Sequence, residues 1–585
     1  MSDQADQPPK APSYNQPTKN AARRRSLAHA VELLTTRRQE AAIVPADYPS
    51  RIKAAFAESD DAIRVATAPS CEDSDISSWQ TFRQEAVGTR SPADLTVAYL
   101  AGPEPSNDLL ALLELGLRPE NIWAFEVDTD TIATGLDDLR SLGLRGVKFV
   151  PVSIGDYFVG TPRRFDIIYL DACGPLPSKE QKTTKLLVDI FRTSSLSPLG
   201  VLVTNFAEPD VSKSHTLETY SSLVAAYLFP KGFVESDGDM IEGPPVYGYS
   251  PYDHEPGSEP KGNGVEDDDA NWDQGSPSFP EEVRTNFGAN YGSFITRQIM
   301  DIAEIVAPTT RLVDGGLYKV LFDENLTKAA ARGRRFAKFN DDAFREDESG
   351  AWQPTDVDMD GDAISDSSMF SLIWTLAWLG FYPTDVNFRA PSSRVKEFAR
   401  AWKNQLLGSS PSKLPAEDLI ACFYAWRHDE ALWTPAMKAM KDFPYDQMMP
   451  FLCDWPTHEI GFYPAFAQLA YPAHPNIRET TRFSYIAEGK TTRMFLDVIP
   501  FDECRYVYDW LSATDLVTED WFDLSAQLTF RFALDAIVKE RRWFGDDFLY
   551  GCHVVGESDT FTTAQLSQRV DLSPEISPST TQVAS

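Results

Sequence analysis

The chain has 585 residues, 42% of them hydrophobic and 12% aromatic, enough apolar material for roughly two or three folded units. Lys and Arg number 54 against 87 Asp and Glu, a formal net charge of −33. Such a surface repels phosphate backbones, which disfavours broad nucleic-acid binding and leaves room only for a local basic patch.

Residues 1–20, polar and rich in Pro and Gln, read as a disordered arm with none of the character of a secretory signal. The basic run Lys19–Arg25 reads as a solvated helix start, with contact to nucleic acid or an acidic partner as the sharper alternative. The helical spacing of Leu27, Val31 and Leu34, and a second run at Ile52–Phe56, make residues 21–93 a helical segment packed on the domain C-terminal to it.

From Asp94 the pattern changes to short apolar runs separated by helical stretches, the signature of βαβ units in a parallel sheet. Strands are expected at Thr96–Leu100, Ile122–Glu126, Val147–Val150, Asp166–Leu170 and Val201–Phe206. Crossover helices fall at Asp108–Leu117, Thr129–Leu142 and Lys179–Ser195. A helix at Leu217–Leu228 precedes an acidic excursion over 237–282; a helix at Ser293–Ile305 and a strand-like Gly316–Phe322 then complete an α/β domain spanning 94–325. The fold class expected is therefore a doubly wound, mostly parallel α/β sheet.

A helix and acidic linker occupy 326–366. Within the linker, Asp356–Asp362 matches the opening of a calcium loop, but Ser367 stands where a bidentate Glu belongs, so a solvated linker is the better account. Residues 367–555, with Trp, Phe and Tyr at helical spacing, read as a mainly helical C-terminal domain suited to a protein partner, with one strand-like run at Arg493–Ile499. Residues 556–585 read as a disordered tail. The longest apolar run, Met369–Tyr382, is too short to span a bilayer, so the expectation is a cytoplasmic protein without a membrane partner. The six cysteines include no CxxC pair and the seven histidines no HxxxH pair, so no metal site is expected.

In doubly wound folds a ligand lies at the carboxyl ends of the strands. There the chain reads Ala101-Gly102-Pro103-Glu104-Pro105 after the first strand, Glu126 at the end of the second, Gly155-Asp156-Tyr157 after the third and Asp171-Ala-Cys-Gly-Pro175 after the fourth. In order and spacing these residues resemble the S-adenosylmethionine-binding domain of class I methyltransferases, over about 115 residues. The resemblance implies S-adenosylmethionine as cofactor, held by Gly102 at the methionine end, Glu126 at the ribose and Asp156 with Tyr157 at the adenine. It implies a catalytic Asp171 beside an unidentified acceptor, with a macromolecule favoured. Where that family has a Gly-x-Gly-x-Gly loop, this chain has two prolines, which stiffen the turn and remove amide donors. The alternative is a non-catalytic interaction protein built on a decayed methyltransferase domain. Cys173 reads as a small packed residue, since no adjacent base marks it as a nucleophile.

Overall fold

A computed structural model describes residues 16–47, 73–229, 278–314, 392–408, 473–506 and 566–573, with shorter segments between them. The elements that build the site are α1 (Pro17–Leu34), β1 (Val97–Leu100), α2 (Ser106–Glu114), β2 (Ile122–Phe125), α3 (Thr129–Ser141), β3 (Lys148–Val150), α4 (Ile154–Gly160), β4 (Phe165–Asp171), α5 (Thr183–Arg192) and β5 (Leu196–Ala207). Further along come α6 (Ser214–Leu228), α7 (Phe287–Asp301), α8 (Ser393–Leu407), β6 (His474–Pro475), β7 (Thr481–Ile486), β8 (Arg493–Asp502) and β9 (Val570–Asp571).

One nine-stranded sheet runs β9-β7-β8-β5-β4-β1-β2-β3, with β6 paired to β8. The five strands β3-β2-β1-β4-β5 are parallel, and β8 runs antiparallel to β5 and β7. The sheet is mixed and mostly parallel, an α/β arrangement compatible with a Rossmann-like fold. Because the chain winds outward from β1 to β3 and then returns to β4 on the other side of β1, the topological switch lies between β1 and β4.

Strand alternation assigns the two faces. Val97, Tyr99, Ile167 and Tyr169 pack with Leu27, Ala30 and Leu34 of α1 and Leu109 and Leu112 of α2. Ala98, Ile168 and Leu170 face the other way, onto Phe158 of α4, Leu187 and Phe191 of α5, and α6 and α7. Both faces are covered, which is why the strands read as near-continuous apolar runs.

Several expectations change at the sheet's far edge. Gly316–Phe322 does not close the sheet, because Tyr318–Leu321 is helical. The place is taken by β8, which pairs with β5 from Met494↔Ala207 to Asp502↔Leu199, so the strand-like run inside the expected helical domain belongs to the α/β sheet. Of 367–555, α8 is helical and packs Trp402 and Leu406 into the same core as β5. Most of the remaining C-terminal region, the calcium-like loop and the middle of the 237–282 excursion lie outside the described residues.

Within the expected disordered tail, β9 pairs with β7, and Arg569 Nη1 reaches the buried Asp497 Oδ1 at 2.5 Å. A carboxylate with no exposed surface needs such a partner, and this one docks the segment. At the other end, α1 starts at Pro17, inside the expected arm. Its local N-cap, Gln16, makes no side-chain cap bond. Glu488 in the β7–β8 turn replaces it, accepting from Thr18 N (2.9 Å) and Thr18 Oγ1 (2.6 Å).

Candidate functional site

A cavity of about 440 Å³ opens at the carboxyl ends of β1, β2 and β4, astride the topological switch. That volume lies within the roughly 300–1,000 Å³ of small-molecule sites. Its walls include Gly102, Glu104 and Asp108 from the β1–α2 turn and helix start, Glu126 after β2, Val152–Ile154 after β3, Asp171 at the end of β4, and Lys19 and Arg23 from α1.

The β1–α2 turn is tied down by β2, α3 and its own strand. Ala101 N donates to Phe125 O (2.9 Å), Tyr99 Oη to Pro105 O (3.0 Å) and Ser106 N to Asp138 Oδ2 (3.0 Å). Gly102 has φ +59°, and a Cβ placed there would meet nothing within 4 Å, so the turn demands glycine for its backbone and presents open space above it. Pro103 and Pro105 carry no amide hydrogen and Ser106 N is taken, which leaves Gly102 and Glu104 as the turn's only amides for a ligand.

Glu126 sits at the end of β2 with Oε1 accepting from Val127 N (2.7 Å) and Asp128 N (3.0 Å). Both bonds go to the same oxygen and hold the carboxylate at the cavity wall. Asp171 is held at both oxygens. Its Oδ1 accepts from Asn205 Nδ2 on β5 (2.7 Å), which also donates to Tyr485 Oη on β7 (2.8 Å), and its Oδ2 meets Lys19 Nζ (2.9 Å). Beneath them Arg23 Nε pairs with Asp108, both nearly buried.

The charges act on one another. Burial pushes the Asp108 carboxyl up to about 6, against the downward pull of the Arg23 guanidinium. Burial is the largest single influence on Lys19 and pulls it down, but the charge and hydrogen bond of Asp171 together with the nearby Cys173 hold the ammonium above its usual range. The Cys173 thiol is pushed up, by burial first and by Asp171 second, so it is not poised as a thiolate.

Gly102, Glu126 and Asp171 thus converge on one cavity. Asp156 and Tyr157 do not line it. α4 begins at Ile154, and within its first turn Asp156 is exposed while Tyr157 leans on Phe125, ring centroids 5.0 Å apart. Ser153 and its neighbours Val152 and Ile154 take the wall instead. Sequence reading also placed Lys19 and Arg23 in solvent. The readable signal was their spacing: they stand eight and four residues before Leu27, on the helical stripe that carries the buried Leu27 and Ala30.

Among the described residues no group of three or more His, Cys, Asp or Glu side chains is placed to hold a metal, and no helix is long and apolar enough to cross a membrane. No family model and no curated protein matches the chain. Among the solved structures that match, an O-methyltransferase domain, StiE O-MT, aligns with 31% of this chain at 13% identity and a TM-score of 0.17. The chain spans 66% of the length of that structure.

Proposed function

We propose that this chain is an S-adenosylmethionine-dependent methyltransferase or methyltransferase-like protein, with the cofactor in the cavity at the β1/β4 switch. The observation that carries the reading is the charge of the walls: two cations, Lys19 and Arg23, stand against four carboxylates, Glu104, Asp108, Glu126 and Asp171. An acidic cavity suits a cationic sulfonium and disfavours the diphosphate of a dinucleotide. The helix start points the same way, because Asp108 puts a carboxylate in the first turn of α2, where a phosphate would otherwise sit.

In this arrangement Glu126 receives the ribose hydroxyls, Val152–Ile154 flank the adenine and Gly102 lets the backbone approach the methionine end. Bound S-adenosylmethionine supplies an electrophilic methyl group. The protein's part is alignment of an acceptor with that methyl, with Asp171 acting through its fixed charge, since Lys19 and Asn205 occupy its oxygens. The length of chain beyond the α/β layers favours a macromolecular acceptor.

A second reading, a decayed and non-catalytic scaffold, is favoured by the paired prolines of the Gly102 turn. Isothermal titration with S-adenosylmethionine and S-adenosylhomocysteine separates the two. The methyltransferase reading expects binding that Glu126→Ala weakens by roughly tenfold or more; absence of heat with both ligands leaves only the scaffold.

A further inference from the structure

Residues 566–573 meet the body of the domain at every third position. Leu566 is buried in the core that α6 and α7 share, Arg569 enters the interior, and Leu572 packs against the core on the α1 side of the sheet. Between these anchors Ser567, Gln568, Val570 and Asp571 are exposed. Arg569 fills a prepared pocket: Nη1 donates to Asp497 Oδ1 (2.5 Å) and Phe483 O (2.8 Å), and Nη2 to Gly292 O (3.0 Å) and Thr296 Oγ1 (3.1 Å). Its guanidinium also lies 5.2 Å from the centre of the Phe495 ring. A Cβ at position 292 would stand 2.9 Å from Arg569 Nε, so α7 carries glycine where the side chain passes. Drawn from α7, β7 and β8, these acceptors match the planar fork of a guanidinium. We infer that the β7 edge and this pocket form a docking groove for an extended segment of the form Leu-x-x-Arg-x-x-Leu, and that residues 566–573 are its resident occupant, a detachable strap whose seating braces the cavity wall.

A strand added to a sheet edge gains affinity from main-chain bonds and selectivity from side-chain pockets, and the strap uses both. Its ladder with β7 is short, Phe483↔Val570 and Ser484↔Asp571, so the three anchors supply most of its hold. Leu572 N donates to Ser484 O (2.7 Å) and Ile486 N to Ser573 Oγ (2.9 Å), which grips β7 on both sides of Tyr485. Tyr485 Oη accepts from Asn205, the residue that holds Asp171, and Glu488 in the β7–β8 turn caps α1 at Thr18. The hairpin under the strap therefore supports the cavity wall at two points. With the strap unseated, the fully buried Asp497 loses its guanidinium and β7 becomes an open edge, both of which loosen the hairpin. Strands β2 and β3 lie beyond β5, β4 and β1 in the sheet and are spared. The inference concerns how the cavity is held and is independent of the ligand that enters it.

Hydrogen exchange on the ligand-free full chain tests the strap. Arg569→Ala empties the pocket, while Leu572→Pro removes the amide that Ser484 O accepts and leaves Asp497 paired. Each variant should speed exchange by roughly tenfold or more in β7, β8, the first turns of α1 and the end of β4, with β2 and α3 unchanged. A synthetic peptide of residues 563–575, added in excess, should restore protection to Arg569→Ala, and the same peptide carrying Arg569→Ala should not. Should Arg569→Ala fail to fold, Leu572→Pro with and without the peptide decides. Exchange that is unchanged, or faster only within 566–573, overturns the bracing role. A loss spread equally over β2 and α3 in both variants makes the segment an ordinary part of the fold and overturns it too. A wild-type peptide that protects neither variant overturns the docking groove.

Discussion

On the β1/β4 side of the cavity Asp108 and Asp171 are largely withdrawn from water, and each meets a cation from α1. On the β2/β3 side Glu126 turns back onto the amides of its own loop, and Asp156 stands in solvent at the start of α4. A carboxylate removed from water must find a countercharge or hydrogen-bond donors, and nothing requires that partner to be near in sequence. An exposed one is satisfied by water or adjacent backbone. The switch side is therefore assembled by the fold, and the outer side by local turns.

The contrast is most sharply tested at its buried extreme. Arg23→Met leaves Asp108 without its partner in the interior and should lower stability by about 3–5 kcal/mol in urea denaturation near neutral pH. Asp108 is already pushed from 3.8 to about 6 by burial, and Arg23 pulls it down, so the variant's carboxyl moves higher still. A carboxyl whose folded value exceeds its unfolded value loses stability as pH rises between the two values and recovers it on acidification. The deficit of Arg23→Met should accordingly shrink from about pH 8 to about pH 5. A deficit that ignores pH would mean Asp108 is not the charge left behind.

Gly102→Ala sits at the boundary between the two sides. Its Cβ meets no atom within 4 Å, so only the left-handed backbone resists the change, and thermal unfolding should register a loss of about 1 kcal/mol. A much larger loss would show that the turn is packed more tightly than its open space indicates.

The smallest effects belong to the outer side. Asp156→Ala should alter stability by no more than about 0.5 kcal/mol, and Glu126→Ala by no more than about 1 kcal/mol, both read from denaturant melts. A destabilisation by either that matches Arg23→Met would erase the distinction.

Much of the parallel sheet was legible because each strand is a short apolar run next to a helix it can pack against. Expected Ile122–Glu126 and observed Ile122–Phe125 differ by one residue, and the expected crossover helix Thr129–Leu142 differs from Thr129–Ser141 by one as well. Gly102, Glu126 and Asp171 followed from the rule that ligands lie at strand carboxyl ends. Asp156 and Tyr157 fall outside the cavity lining because the loop after β3 enters its helix at Ile154, where Asp156 then faces solvent and Tyr157 packs on Phe125. β8 and β9 were read as isolated or unstructured because their partners, β5 and β7, are hundreds or tens of residues distant.

By itself the sequence determined the five parallel strands, the crossover helices and the acids at the strand ends, since periodicity and turn chemistry act over a few residues. Only the tertiary structure decided that β8 completes the sheet, that Glu488 caps α1, and that Lys19 and Arg23 face inward onto Asp171 and Asp108. Those choices depend on which buried charge or open sheet edge lacks a partner, and that becomes defined only once distant segments are brought together.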